Sequence, residues 1–193
     1  YYQMFKTGEL DLIDSLPIDV IEQEKGKEEY KSFPDYSIYT YTFNVEKEPF
    51  TNAKIRQAFS YAIDRDILTA NVTMGGQLPA YGYTPFGVKT PAGKDFREEV
   101  APYYQFDPAK AKQLLAEGLK EEGWTELPPI TLKYSTAENH KKIAEALQEM
   151  FKKNLGVQVK LENQEWKTYI DTFKQKNFQI ARLGWNGDYL DPL

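Results

Sequence analysis

Residues 130–164 read ITLKYSTAENHKKIAEALQEMFKKNLGVQVKLENQ, and this stretch decides the fold. Ile130 to Tyr134 alternates apolar and polar residues, the period of a half-buried strand. Ser135-Thr136-Ala137-Glu138 has the spacing of a capping box, which predicts that a helix opens there. Ile143, Leu147, Met150 and Phe151 then recur on one helical face, and Gly156 supplies the stop. Val157, Val159 and Leu161 alternate with Gln158, Lys160 and Glu162, predicting a second strand. Trp166, Tyr169, Ile170 and Phe173 mark a further helix, and Phe178 to Leu183 a third strand. The order β-α-β-α-β predicts an α/β layer with helices packed on a sheet.

Upstream the signals are patchier. Residues 1–10 read as the end of a helix stopped near Gly8, and Leu10-Asp11-Leu12-Ile13 as a short strand. Pro17 to Gln23 predicts a short helix with proline near its first turn. Tyr36 to Asn44 alternates and is dense in Tyr, Thr, Ile and Phe, which predicts a strand. Thr51 or Asn52 caps a helix whose apolar face is Ile55, Phe59, Ala62 and Ile63. A second helix is expected at about Asp66 to Val72. Residues 73–106 carry nine glycines and prolines among scattered aromatics, with no period. A loop of that length in a compact domain is usually functional or wrapping. Asp107-Pro108 then opens a helix that runs to about Glu122 and stops at Gly123.

The 193 residues are 41% hydrophobic and 15% aromatic, enough for a real core and against global disorder. The net charge of −5 comes from interspersed residues without a basic stripe, so a nucleic-acid footprint is missing. No apolar run approaches the roughly 20 residues of a membrane span. The absence of cysteine removes disulfides, thiol nucleophiles and thiolate metal sites together. The chain opens on Tyr1-Tyr2-Gln3 without a signal-peptide pattern and stops at Leu193 without a tail, as expected of a fragment.

Enzyme signatures are missing too. There is no G-x-S-x-G, Walker A or G-x-G-x-x-G motif. His140 is the only histidine, and at the first turn of a helix its plain reading is a solvated or partly buried side chain. Asp64/Asp66 and Glu121/Glu122 fall at helix ends and on polar faces, where solvated charge is the default. Gly75-Gly76 is too weak a signal for an anion cradle. One segment stands apart: Gly184-Trp185-Asn186-Gly187-Asp188-Tyr189, at the carboxyl end of a strand, the edge that ligands prefer in open α/β sheets. An aspartate screened there by aromatics would bind an ammonium group. Equally, Trp185 would be core and Asp188 would cap a turn. Residue chemistry alone does not choose.

Longer runs add a resemblance. His140-Lys141-Lys142-Ile143-Ala144-Glu145-Ala146-Leu147-Gln148 and Phe151-Lys152-Lys153-Asn154-Leu155-Gly156-Val157-Gln158-Val159 resemble the oligopeptide-binding proteins of peptide ABC importers, family 5 of the solute-binding proteins. So do Leu161 to Tyr169, Ala181 to Tyr189, Phe43-Asn44-Val45 and Ile55 to Arg65. The resemblance covers essentially the whole chain. It implies a periplasmic-binding-protein-like type II lobe from a two-lobed protein that hinges shut over a peptide. Residues 1–45 would end the first lobe, and 46–193 would form most of the second. By position, Asp188 resembles the acid that pairs with the peptide's α-ammonium, and Trp166 and Trp185 the aromatic walls of side-chain pockets. Arg182 and His140 resemble cations that meet the peptide's carboxylate. Where relatives often carry a second arginine this chain has Phe173, which also completes the helical face of Trp166, Tyr169 and Ile170.

The implied function is recognition without catalysis, cofactor or metal. The implied partners are an oligopeptide and the membrane permease, with the receptor a monomer in the periplasm or lipid-anchored outside the membrane. The runner-up is a receptor of the same fold for a dipeptide, nickel chelate, sugar or signalling peptide. The lone histidine disfavours metal, and Asp188 favours a free amine. An enzyme with an unrecognised site is the remaining class, which a peptide hydrolysis assay separates.

Overall fold

A computed structural model describes residues 1–33 and 35–189; Pro34 and residues 190–193 lie outside it. The elements run α1 (Tyr2–Lys6), α2 (Ile18–Glu24), β1 (Ser37–Phe43), α3 (Ala53–Tyr61), α4 (Arg65–Leu68), a π-helical turn (Thr69–Thr73), α5 (Phe96–Glu99), α6 (Pro108–Glu122), β2 (Ile130–Ser135), α7 (Glu138–Leu155), β3 (Val159–Gln164), α8 (Trp166–Lys174) and β4 (Ile180–Asn186). Where local chemistry is strong, the elements follow it. Asn52 caps α3, its side-chain oxygen accepting from the amides of Lys54 at 2.9 Å and Ile55 at 3.2 Å. Asp107 caps α6 through the amide of Lys110, with Pro108 at the first position. Gly156 ends α7 with a φ of 74°, a left-handed conformation that glycine adopts at little cost.

The four strands form one mixed sheet in the order β1-β4-β2-β3. β2 is parallel to β3 and to β4, as βαβ crossovers require. β1, some 140 positions upstream, lies antiparallel along β4, from Ser37 opposite Asn186 to Phe43 opposite Ile180. Helices cover both faces. On one, α3, α6 and α7 bury Ile55, Phe59, Leu115, Leu147 and Phe151 against Leu132, Val159 and Ile180. Gly118 lets α6 approach α3, because a Cβ there would sit 2.6 Å from Cγ1 of Ile55. On the other face, Tyr169 and Phe173 of α8 pack on Phe178 and Ala181. Phe173 stacks on Phe178 at 5.0 Å between centroids, so the core role read for it holds. Within the first layer Asn154 ties α7 to the end of α3, its buried amide donating to the carbonyl of Ala62 at 2.8 Å.

Two expectations fail and two elements are displaced from their expected bounds. Leu10 to Ile13 is no strand; alternation over four residues lacks a partner strand. The helix expected at Asp66–Val72 starts one residue earlier, capped by Asp64, and becomes a π-helical turn from Thr69. The capping box does not form. Ser135 is the last residue of β2, α7 starts at Glu138 without a side-chain cap, and the Ser135 hydroxyl turns to His140 instead. Finally β4 is shifted, starting at Ile180 and running through Asn186, because β1 extends its pairing. Trp185 is therefore a strand residue opposite Ile38 rather than part of a following loop.

Polar contacts brace residues 1–33 internally and tie them to α7. Glu24 accepts from the Tyr2 hydroxyl at 2.7 Å and pairs with Lys27 at 2.6 Å. Asp19 of α2 pairs with Lys142 of α7.

Candidate functional site

The sheet converges chemistry at its carboxyl edge. On β4, Arg182 stands opposite Tyr41 of β1, and Gly184 opposite Tyr39. A Cβ on Gly184 would come within 3.2 Å of the Arg182 guanidinium, so glycine leaves room for that side chain along the strand. The guanidinium carbon lies 4.5 Å from the Tyr39 ring centroid, a cation–π contact. Tyr39 also sits 5.8 Å from Tyr41, edge-on, and 5.8 Å from the His140 imidazole. From the opposite face, the Tyr169 hydroxyl donates to the carbonyl of Arg182, and Trp166 stacks on the Tyr169 ring at 6.3 Å. His140, Tyr39, Arg182, Tyr169 and Trp166 thus form one chain of contacts through the sheet.

Three buried polar atoms here lack a hydrogen-bond partner: Nε of Arg182, the Tyr41 hydroxyl and Oε1 of Gln164 at the end of β3. Buried polar groups are nearly always paired, so such a concentration calls for an explanation. The contrast is the polar depression at the other end of β4, lined by Asn44, Glu46, Lys47, Gln175, Lys176 and Asn177. There Asn44 donates to the carbonyls of Lys176 and Phe178, Lys47 to Asn177, and Lys176 pairs with Glu46. Those groups satisfy one another and hold a turn together.

Burial pushes the Tyr39 and Tyr169 hydroxyls to higher pKa, and the same cause acts most strongly on Tyr41. All three are neutral donors at physiological pH. His140 moves the other way. Burial lowers its pKa below 6.5 and the nearby Arg182 charge adds to this, against the hydrogen bond to the Ser135 backbone. Nδ1 lies 2.9 Å from the Ser135 carbonyl oxygen, which assigns the ring proton to Nδ1 and leaves Nε2 an acceptor. The cation that the resemblance implies at His140 is therefore a neutral imidazole at pH 7 in this structure. Because the folded pKa is depressed, the unfolded chain takes up the proton first. His140 then contributes stability that is present above pH 6.5 and lost as pH falls through its folded pKa. The expected result is a melting temperature that declines between about pH 7 and about pH 5, and a flatter profile in that window for His140→Gln. An unchanged slope in the variant would refute the assignment. The carboxylates with lowered pKa, Glu24, Asp95, Glu117 and Glu121, titrate further into acid.

Of the five residues singled out from the sequence, the structure joins Arg182 and His140 across Tyr39, and Trp166 through Tyr169. Trp185 and Asp188 lie at the end of β4 and just beyond it. Both are exposed, Trp185 to 50%, and neither side chain makes a ring contact, hydrogen bond or ion pair with another described residue. The reading of Trp185 as core is set aside by that exposure. Sequence reasoning missed Tyr39 and Tyr41, whose alternation in β1 was visible but whose partner strand was not. Tyr169 was read as helix-face core; it is core, but its hydroxyl also reaches across to β4.

Among the described residues, no group of three or more His, Cys, Asp or Glu side chains is arranged to hold a metal ion, and no helix is long and apolar enough to cross a membrane. A mixed sheet of this order, helices on both faces and polar groups left open at the carboxyl edge, is the build of a periplasmic-binding-protein-like ligand-binding lobe. The chain belongs to the bacterial extracellular solute-binding proteins, family 5, whose middle region it matches over residues 1–193. It is 42% identical to a dipeptide-binding protein of Bacillus subtilis over 192 residues, which are 100% of this chain and 35% of that protein. An oligopeptide-binding protein from Borrelia burgdorferi superposes with a TM-score of 0.86 at 35% identity, over 99% of this chain and 37% of the other. A Listeria monocytogenes homologue solved bound to peptide superposes with a TM-score of 0.87 at 28% identity, over 99% and 38%. The chain thus spans little more than a third of the length of these relatives.

Proposed function

We propose that this chain is part of the peptide-binding receptor of an ABC-type oligopeptide importer. Residues 1–45 end its first lobe and 46–193 build most of its second, with a peptide held between the lobes and passed to a membrane permease. The observation that carries this reading is the carboxyl edge, where buried donors and acceptors stand unpaired beside an exposed tryptophan and an exposed aspartate. A peptide brings complementary groups: an ammonium for Asp188, a carboxylate for Arg182, a donor N–H for Nε2 of the neighbouring His140, and side chains to pack on Trp166 and Trp185. Main-chain and end-charge recognition of this kind gives affinity with little sequence preference, and waters fill the remaining room. The Ser135 hydroxyl beside His140 is buried and meets Nδ1, whose proton is committed to the Ser135 carbonyl, so it is not activated as a nucleophile and the ligand leaves unchanged. The receptor acts as a monomer, in the periplasm or lipid-anchored on the outer face of the membrane.

Isothermal titration of the complete two-lobed protein with tri- to pentapeptides, free and N-acetylated, tests the proposal. Free peptides are expected to bind, to bind better than acetylated ones, and to be recovered intact. Absence of heat with every peptide, or hydrolysis during incubation, would overturn it. The described chain alone is expected to bind very weakly, since the facing lobe supplies half the contacts.

A further inference from the structure

Asp188 has no described side-chain partner, so its position depends on its backbone. The last ladder pair between β1 and β4 is Ser37 with Asn186. One step further, the amide of Gly187 donates to the carbonyl of Tyr36 at 2.9 Å. The Tyr36 ring then lies directly on Gly187: a Cβ at that position would overlap Cδ1 and Cε1 of the ring and sit 3.0 Å from Cζ. Gly187 is not among the glycines with a left-handed φ, so backbone conformation does not demand glycine there. Space does. Both residues are half-buried, while Asp188 next to them is exposed.

We infer that Tyr36 is a positioning residue for the amine end of the ligand site: its ring, seated on Gly187, sets where β4 ends and so where Asp188 presents its carboxylate. This rests on the proposed reading of Asp188 as the group that meets a free amine. A ring on one side and a main-chain hydrogen bond within the same residue pair leave the strand end little freedom to shift. A methyl group at Gly187 must push either the ring or the strand end away. Removing the ring instead leaves a gap into which that methyl fits. The two positions are therefore coupled, in the sense that a double-mutant cycle measures.

The test uses the complete protein with one free tripeptide and its N-acetylated form, and four variants: Gly187→Ala, Tyr36→Ala, Tyr36→Phe and Gly187→Ala with Tyr36→Ala. Gly187→Ala is expected to lose about tenfold in affinity for the free peptide, the scale of one misplaced hydrogen bond to a charged group, with little change for the acetylated one. Tyr36→Phe keeps the ring and should bind as wild type. The double variant should recover most of what Gly187→Ala lost. A matching melting temperature across the set separates misplacement from unfolding, and NMR reports the contact without ligand, through an upfield ring-current shift of the Gly187 Hα protons that Tyr36→Ala abolishes. If Gly187→Ala tells the two peptides apart as well as wild type does, or the double variant is no better than the single, the inference falls while the peptide reading stands. If wild type does not discriminate between them, the amine reading of Asp188 falls and takes this inference with it.

Discussion

Asp188→Asn is expected to lower the affinity of the complete protein for a free tripeptide by at least about 30-fold, while barely changing the weaker binding of the N-acetylated form. The size of the loss decides between two pictures of the site. An ion pair left in solvent is worth about 0.2–1 kcal/mol, only a few-fold in affinity. Truncating a charge pair that closure has desolvated costs about 2–5 kcal/mol, much of it from the partner left unpaired. Asp188 is exposed on this chain, so a loss in the larger range requires a second surface to cover it, as a closing lobe would. Calorimetry with the two peptides makes the measurement. A loss below about fivefold would assign Asp188 a solvent-exposed role and remove the reason for a buried amine anchor.

The largest expected effect on stability lies elsewhere. Phe59 is fully buried, its ring 4.7 Å from that of Phe151, 5.2 Å from Phe50 and 6.1 Å from Phe43. These rings come from α3, α7, β1 and the turn between β1 and α3, so the cluster joins the sheet to its main helical layer. Phe59→Ala should cost about 3–5 kcal/mol, through lost transfer energy and a cavity that rings packed from several elements cannot collapse to fill. Against a total of about 5–15 kcal/mol, that is a large share. The urea midpoint should fall accordingly, with Phe59→Leu in between. A loss under about 1 kcal/mol for Phe59→Ala would mean that the cluster is looser than its distances imply.

The two predictions draw on parts of the molecule that were not equally legible. Phe59 was read as a core residue from its spacing with Ile55, Ala62 and Ile63, because helical periodicity is a local property. The boundaries at Asn52, Asp107-Pro108, Gly123 and Gly156 were legible for the same reason: each cap acts within one turn. The capping box at Ser135 to Glu138 shows where this logic stops. The spacing is correct for a cap, but Ser135 is claimed by the end of β2 and its hydroxyl by His140. The four-residue alternation at Leu10 to Ile13 failed likewise, since a strand exists only when another pairs with it.

By itself, then, the sequence determined the α/β class, the β-α-β-α-β order of residues 130–186, most helix ends and the resemblance to the peptide-binding receptors, all of which depend on contacts within a few residues or on runs of residue types. Tertiary structure alone decided that β1 lies antiparallel beside β4. That single pairing sets Tyr39 against Arg182, brings His140 into the same group and seats Tyr36 on Gly187. Strand register is a long-range choice fixed by which faces must be buried together, and no periodicity within either strand records its partner's position.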